Sequence, residues 1–470
     1  MTMQTILSRQ KTAATRDGMP DAAKRIERLD RSIELLCTHS DALCDAIRAD
    51  FGHRSTDESK FADVSGSIGA LKFAKKHLGA WMKPVKRSTQ FPLGLFGAKA
   101  AVHYQPKGVV GIISPWNFPI SLTFGPLAGV LAAGNRAMIK PSEFTAQTSG
   151  LLARLIADYY EEDEVAVVTG GAEVGAEFSG LPFDHLVFTG ATSIARQVMR
   201  SAADNLVPTT LELGGKSPVI IGKSADIRKA AIRILTGKTL NAGQICLAPD
   251  YVLLPQGKTP EFVDAAKEAV ATMFPAGLLN NDDYTSVVNK KHYDRLESYV
   301  EDALSKGADI VELNPGGENF SGQPNHKMAP RIVVQPTDDM AVMQDEIFGP
   351  ILPVKEYAGI EETVGYIADR PRPLALYYFG TDKAERDYIL NNTTSGGVTL
   401  NDVFFHAAQE DLPFGGIGPS GMGSYHGRDG FEEFSHKKAV YSQATADVLA
   451  VLRPPYGEKF SKLIDGRLKQ

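Results

Sequence analysis

The sequence predicts an α/β protein with two parallel sheets covered by helices, and three observations carry that expectation. Between residues 108 and 222 the short apolar runs GVVGII, RAMIK, VAVVTG, HLVFTG and PVIIG alternate with polar or amphipathic stretches. That rhythm belongs to a parallel sheet whose strands are buried on both faces. From about 250 to 405 a second series follows, with YVLLP, RIVVQP, ILPVKEY and PLALYYFG as strands and TPEFVDAAKEAVATMF as a helix. The third observation is bulk: 470 residues with 43% hydrophobic content are enough for two or three domains with sizeable cores.

Composition removes several classes of function. A formal charge of −6 offers no broad basic surface for a phosphate backbone, and no basic arm is interleaved with aromatics, so no nucleic-acid partner is expected. The start, MTMQTILSRQKTAATRDGMP, lacks the charged-then-apolar layout of a secretory signal, and no apolar run approaches the roughly 20 residues of a membrane helix. No membrane partner is expected, and the default location is cytoplasmic. Three cysteines form no disulfide framework, and without Cys-x-x-Cys or His-x-x-x-His clusters no metal site is predicted.

Along the chain, Ile26, Leu29, Ile33, Leu36, Leu43 and Ile47 recur at helical spacing, and Cys37 and Cys44 share their face, which predicts core packing for both thiols. Residues 86–108 interrupt the first series with alternating, hairpin-like sequence, readable as an arm. In parallel sheets ligands sit beyond the carboxyl ends of strands, which singles out SPWNFP, KPSE and TGATS. Helix starts there can receive phosphate oxygens, and a dinucleotide is the natural guess. No G-x-G-x-x-G follows any of these strands. GKS at 215–217 and GKT at 237–239 are not P-loops either, because Thr210 and Ile232 stand where the upstream glycine is required. Cys246 differs from the other two cysteines. It lies among Asn241, Gly243 and Gln244, a small and polar loop that lets a substrate approach, with Pro249 limiting any helix. Taken alone, that context leaves both a packing thiol and a reactive thiol open.

Six ordered stretches decide between them: SPWNFP (114–119), IKPSE (139–143), LELGGKSP (211–218), NAGQICLAPD (241–250), QDEIFGPILPV (344–354) and LPFGGIGPSGMG (412–423). Together they resemble the aldehyde dehydrogenase superfamily from about residue 20 to 440, and the tail LPFGGIGPSGMGSYHGRDGFEEFSHKKAVY resembles its class-3-like branch. The resemblance implies a Rossmann-like dinucleotide-binding domain (1–85 and 107–212), a second α/β catalytic domain (213–420), and a small β oligomerisation arm with the C-terminal tail (86–106 and 421–470). It also implies a homodimer, with a tetramer as the alternative.

The resemblance assigns roles that the chemistry requires. Hydride loss from an aldehyde needs a tetrahedral centre, which a thiolate forms by adding to the carbonyl, and Cys246 matches that nucleophile. Asn117 and the Cys246 backbone N–H match the oxyanion donors, and Glu212 matches the base that hydrolyses the thioester. Read without the resemblance, Asn117 is a turn residue and Glu212 an ion-pair carboxylate beside Lys216.

For the cofactor, the resemblance implies Ile113, Ser114, Pro115 and Trp116 flanking a dinucleotide, Lys140 and Glu143 on the adenosine ribose, Gly190 near the pyrophosphate, and Glu346 and Phe348 at the nicotinamide end. Many members repeat glycine five residues after Gly190, where this chain has Ala195. NAD is the expected cofactor, because the Glu143 carboxylate repels a 2′-phosphate, although branches with similar motifs also use NADP. For the substrate, Phe118, Phe404, Phe405 and His406 outline an apolar channel, with one of the two adjacent phenylalanines expected to be packing. They suit an aryl or arylpropenal aldehyde, and the resemblance implies an aromatic aldehyde such as coniferyl aldehyde. A long-chain or broad aliphatic aldehyde is the alternative. A CoA-acylating relative would lack Glu212, and a silent homologue would have lost Cys246 or Asn117.

Overall fold

The computed structural model describes residues 2–447 and 449–469. Its first sheet runs in the order Gly421–Met422, Thr209–Leu213, His185–Gly190, Val109–Ile113, Arg136–Lys140, Val165–Val167, parallel throughout except for the antiparallel Gly421–Met422 edge. Its second sheet is ordered Asp309–Glu312, Arg331–Val334, Ile351–Tyr357, Tyr251–Pro255, Pro218–Ile221, Ala375–Phe379, Gly397–Leu400 and is parallel apart from the first edge. Strands Val109–Ile113, Arg136–Lys140 and Tyr251–Pro255 are buried at every position, as central strands between helical layers are, with Arg136 and Lys140 the charged ends of the second. Helix Ser121–Ala132 is apolar nearly all round and lies within the core.

A third, three-stranded antiparallel sheet joins Val85–Arg87, Lys99–Pro106 and Ser435–Ser442, so the hairpin-like segment near residue 90 does form strands and pairs with the chain's C-terminal strand. Gly421–Met422, which the sequence reading groups with this tail, pairs instead with Leu211 and Glu212 in the first sheet. A two-residue strand built on glycine carries no hydrophobic period by which to recognise it. Helix Met3–Asp17, ahead of the first recognisable motif, packs Met3, Ile6 and Leu7 against Val109 and Met138. Among the described residues no helix is long and apolar enough to cross a membrane.

One expectation fails here. The helical face counted from Ile26 to Ile47 is not continuous: Ala22–Thr38 and Ser40–Asp50 are separate helices broken at His39. Cys44 is buried, but Cys37 is exposed. The buried face of the first helix is centred on Arg28, Ser32 and Leu35. Arg28 pairs with Glu164 at 3.1 Å and Ser32 shares a 2.6 Å hydrogen bond with the Tyr160 hydroxyl. Polar residues with buried partners shift the inward face away from the one that apolar spacing alone selects.

This difference is measurable by thiol titration. In a Cys246→Ala background, a disulfide reagent such as Ellman's is expected to modify one thiol promptly in the native protein and a second only on unfolding. Two prompt thiols would contradict the burial of Cys44.

Candidate active site

The two large sheets meet end to end. Strand Thr209–Leu213 ends the first, the chain crosses in the four residues Gly214–Ser217, and Pro218–Ile221 opens the second. The carboxyl edge of the first sheet thus faces the amino edge of the second. A cavity of about 200 Å³ lies between them. Its first wall follows the strands on either side of the point where strand order reverses: Pro115, Trp116 and Asn117 after Val109–Ile113, then Thr189, Gly190 and Ala191 ending His185–Gly190. Its second wall comes from segments entering the second sheet: Cys246 before Tyr251–Pro255, and Glu346 and Phe348 before Ile351–Tyr357. Glu212, Leu213 and Gly214 form the floor.

Cys246 follows a turn in which Asn241, Ala242 and Gly243 all have positive φ (47°, 50° and 72°). Two non-glycine residues in this region are strained, and the surroundings hold them there. Gln244 donates to the Asn241 and Ser286 carbonyls (2.9 and 3.0 Å) and accepts from the Val288 amide (2.9 Å). The Tyr377 hydroxyl donates to the Leu247 carbonyl at 2.7 Å. Asn117 is fixed from both sides. Its carbonyl accepts from Arg54 Nη1 (2.6 Å) and Asn241 Nδ2 (3.0 Å), and its own Nδ2 donates to the Gln244 carbonyl (3.1 Å). One of its two amide hydrogens remains for another acceptor. Arg54 is held in turn by the fully buried Asp63 (2.8 Å), which also accepts from the Ile120 and Ser121 amides.

Glu212 is 1% exposed, and neither carboxylate oxygen has a hydrogen-bond partner among the described residues. Burial raises its pKa from the ordinary 4.5 to about 7, and the neighbouring Cys246 thiol offsets this only in part. Burial, together with the negative charges of Glu212 and Glu346, pushes the thiol well above its ordinary value. Glu346 is itself raised to about 8 by burial and by the charges of Asp250 and Glu212. Its Oε1 has no partner among the described residues, and a Cβ at position 214 would stand 2.1 Å from its carboxylate, so any side chain there would displace it. The alternative reading of Glu212 as an ion-pair carboxylate fails, because Lys216 reaches Asp250 instead.

The remaining predicted residues divide. Lys140 Nζ and Glu143 pair at 2.7 Å just past the end of Arg136–Lys140, and Ile113 and Ser114 lie buried behind the first wall. Ala195 is buried inside helix Thr192–Ala203, so that position belongs to packing and not to the turn. Phe118, Phe404, Phe405 and His406 do not line this cavity. Phe118 is buried beneath the Arg54 guanidinium, Phe404 meets Tyr377 edge-on at 6.4 Å, and Phe405 is exposed. His406 shares a 2.7 Å hydrogen bond with Thr399, and its buried Nε2 has no partner among the described residues.

Sequence reasoning missed Leu122, His292 and Arg295 at this cavity. His292 packs on Trp116 (5.1 Å) and Phe144 (5.9 Å), while Trp116 meets Phe348 (5.4 Å), which makes an aromatic rim. The helix Lys290–Ser305 that carries His292 and Arg295 matches none of the six motifs, so only its fold position reveals it. The lysine of the GKT stretch, Lys238, is buried in a helix with Nζ unpaired. A wider surface groove of about 970 Å³ near Lys11, Arg28 and Arg136 contains none of the predicted site residues, and its charges are largely paired. Among the described residues, no group of His, Cys, Asp or Glu has the arrangement to hold a metal ion.

A thiol, an unpaired carboxylate and a carboxamide converge on one cavity between two α/β sheets, an arrangement suited to nucleophilic chemistry at a carbonyl. The family model described as "Aldehyde dehydrogenase family" matches residues 8–440, and the chain belongs to that family. It is 60% identical to a Caulobacter vibrioides protein named "Probable coniferyl aldehyde dehydrogenase", covering 100% of this chain and 97% of that one. It is 51% identical to "Coniferyl aldehyde dehydrogenase" of a Pseudomonas species, covering 97% and 94%. Among solved structures, Staphylococcus aureus AldH in a substrate-bound state superposes with a TM-score of 0.92 at 35% identity, covering 99% of each chain.

The raised Glu212 pKa gives a stability test. Because the folded value (about 7) lies above the ordinary one, ionising Glu212 weakens the fold as pH rises from 4.5 to 7, at a cost of up to about 3 kcal/mol. Glu212→Gln is therefore expected to unfold at higher temperature than the parent at pH 8, with the gap shrinking to roughly a third or less by pH 5. An equal gap at both pH values would contradict the unpaired burial.

Proposed function

We propose that this chain oxidises an aromatic, arylpropenal-type aldehyde such as coniferyl aldehyde to its carboxylic acid, with NAD as the oxidant and Cys246 as the covalent carrier. The observation that carries the reading is the convergence of the Cys246 thiol, the unpaired Glu212 carboxylate and the half-free Asn117 amide on one cavity. The Cys246 thiol gives up its proton to solvent, and Sγ adds to the aldehyde carbon. The oxygen that becomes an alkoxide accepts from the free Asn117 amide hydrogen and the Cys246 backbone N–H. NAD held beside Glu346, Trp116 and Phe348 would supply the hydride acceptor for that carbon, and Cys246 would then carry a thioester. Glu212 then takes a proton from water as its oxygen adds to the thioester carbon, and the C–S bond breaks to give the carboxylic acid and the free thiol. A base whose pKa is near 7 is suited to that proton transfer.

The residues present suit the cofactor. The N-terminus of helix Thr192–Ala203, just after Gly190, offers backbone N–H groups to a pyrophosphate, and the Lys140–Glu143 pair offers a donor and an acceptor to a ribose. Glu346 presents an unpaired buried oxygen to the second ribose, and Trp116 and Phe348 border a ring site. Lys140 keeps Glu143 below its ordinary pKa and therefore anionic, which disfavours the 2′-phosphate of NADP. The relatives' names support an aromatic substrate over an aliphatic one. Exposed Phe91, Leu95, Phe96 and Tyr441 on and beside the small antiparallel sheet support a homodimer built through that arm. The cytoplasmic location rests on sequence alone.

Steady-state NADH formation tests the reading. Cys246→Ala is expected to abolish turnover while NAD still binds, whereas Cys37→Ala and Cys44→Ala retain it. Asn117→Ala is expected to lose about 10²–10³-fold in kcat. Cinnamaldehyde-type substrates should show higher kcat/KM than acetaldehyde, and a tenfold preference for acetaldehyde would defeat the aromatic assignment without touching the Cys246 chemistry.

A further inference from the structure

The proposed chemistry leaves one buried ion pair unused. Lys216 lies four residues after Glu212, and Asp250 lies four residues after Cys246. Their side chains are 13% and 4% exposed, and Lys216 Nζ stands 2.5 Å from Asp250 Oδ1. Both groups then turn to the same turn of chain. Lys216 also donates to the Val342 and Asp345 carbonyls (2.8 Å each), and Asp250 Oδ2 accepts from the Ile347 amide (2.9 Å). The Asp345 carbonyl and the Ile347 N–H belong to the two peptide groups on either side of the Glu346 Cα. One ion pair therefore pins Glu346 from both directions. A further backbone bond, Asp250 N–H to the Ser217 carbonyl (2.9 Å), ties the two partners' own segments together.

The pinned turn has features that need restraint. Phe348 has φ 49°, an unfavourable conformation for a side chain of its size. Glu346 is a carboxylate facing the charges of Asp250 and Glu212, so repulsion favours its withdrawal from the cavity. Gly214 supplies the space into which it fits. The three ammonium hydrogens of Lys216 all have acceptors, so the pair is complete as a mechanical link and has no hydrogen left for a ligand.

From this arrangement we infer that Lys216 and Asp250 are positioning residues for the cofactor. By gripping the peptide groups that flank Glu346, the pair holds its carboxylate at the ribose site and links the nucleophile, base and cofactor segments. The inference rests on the proposed contact of Glu346 with the dinucleotide. The cysteine segment has separate anchors in Gln244 and Tyr377, so loosening the Glu346 turn should leave Cys246 in place.

The test is Lys216→Met in the full-length protein. NAD affinity is measured by calorimetry without aldehyde, and backbone hydrogen exchange across 342–349 is measured without NAD. The rate of Cys246 alkylation by iodoacetamide serves as a control. Expected are an NAD Kd raised tenfold or more and faster exchange confined to 342–349, with alkylation within twofold of the parent. Asp250→Asn, which keeps an oxygen for the Ile347 amide, is expected to show a smaller loss, and it carries the same comparison if Lys216→Met does not fold. Unchanged exchange in 342–349 would overturn the inference, as would a uniform change in exchange, alkylation and affinity, the mark of a merely structural pair. Glu346→Gln separates the two readings. If it binds NAD like the parent, the ribose assignment has failed, and faster exchange in 342–349 then shows only that the pair grips the turn.

Discussion

Burying a carboxylate with nothing bonded to it is costly, and Glu212 is in that position near the end of strand Thr209–Leu213, with both oxygens unpaired among the described residues. A buried polar group without a partner costs about 1–3 kcal/mol, and more when charged. The fold tolerates this because Glu212 can take up a proton near pH 7 and because a thiol stands beside it. Much of the surrounding structure follows from keeping that carboxylate in place and unsatisfied. Lys216, the cation nearest in sequence, is drawn off to Asp250 and two carbonyls, and Arg54 is neutralised by Asp63 before it can reach the cavity. Neither of these two cations is therefore free to pair with Glu212.

The opposed sheet edges make this possible. A strand that delivers Glu212 at its carboxyl end leads within four residues into the second sheet, so base and nucleophile come from different layers yet face each other. The first sheet contributes helix starts and a switch point, which suit a phosphate-bearing ligand. The second contributes strained turns, at 241–243 and at Phe348, that aim side chains back toward the first. Strain of this kind persists only where the surroundings over-determine it. Here Gln244, with its three hydrogen bonds, and the Lys216–Asp250 pair do so.

Much of this was legible in the sequence, for identifiable reasons. Apolar runs bounded by glycine or proline located the strands, since buried parallel strands are nearly uniform in character. Cys246, Glu212 and Asn117 sit in short motifs that the sequence singled out, and the fold brings all three to one cavity. Cys37 was misread because Arg28 and Ser32, polar residues with buried partners, define the inward face of its helix. His292 and Arg295 escaped notice because an amphipathic surface helix delivers them, and nothing local distinguishes such a helix from any other. The Gly421–Met422 strand was too short to show a period.

The central claim is that Cys246 carries the acyl group and Glu212 releases it. The direct measurement is peptide-level mass spectrometry of Glu212→Gln quenched in acid after mixing with NAD and coniferyl aldehyde. The account predicts that the peptide containing Cys246 gains the mass of the acyl group in near-stoichiometric amount, whereas the parent enzyme shows little. An unmodified Cys246 peptide in a variant that has formed NADH, or an adduct on Cys37 or Cys44 instead, would contradict it.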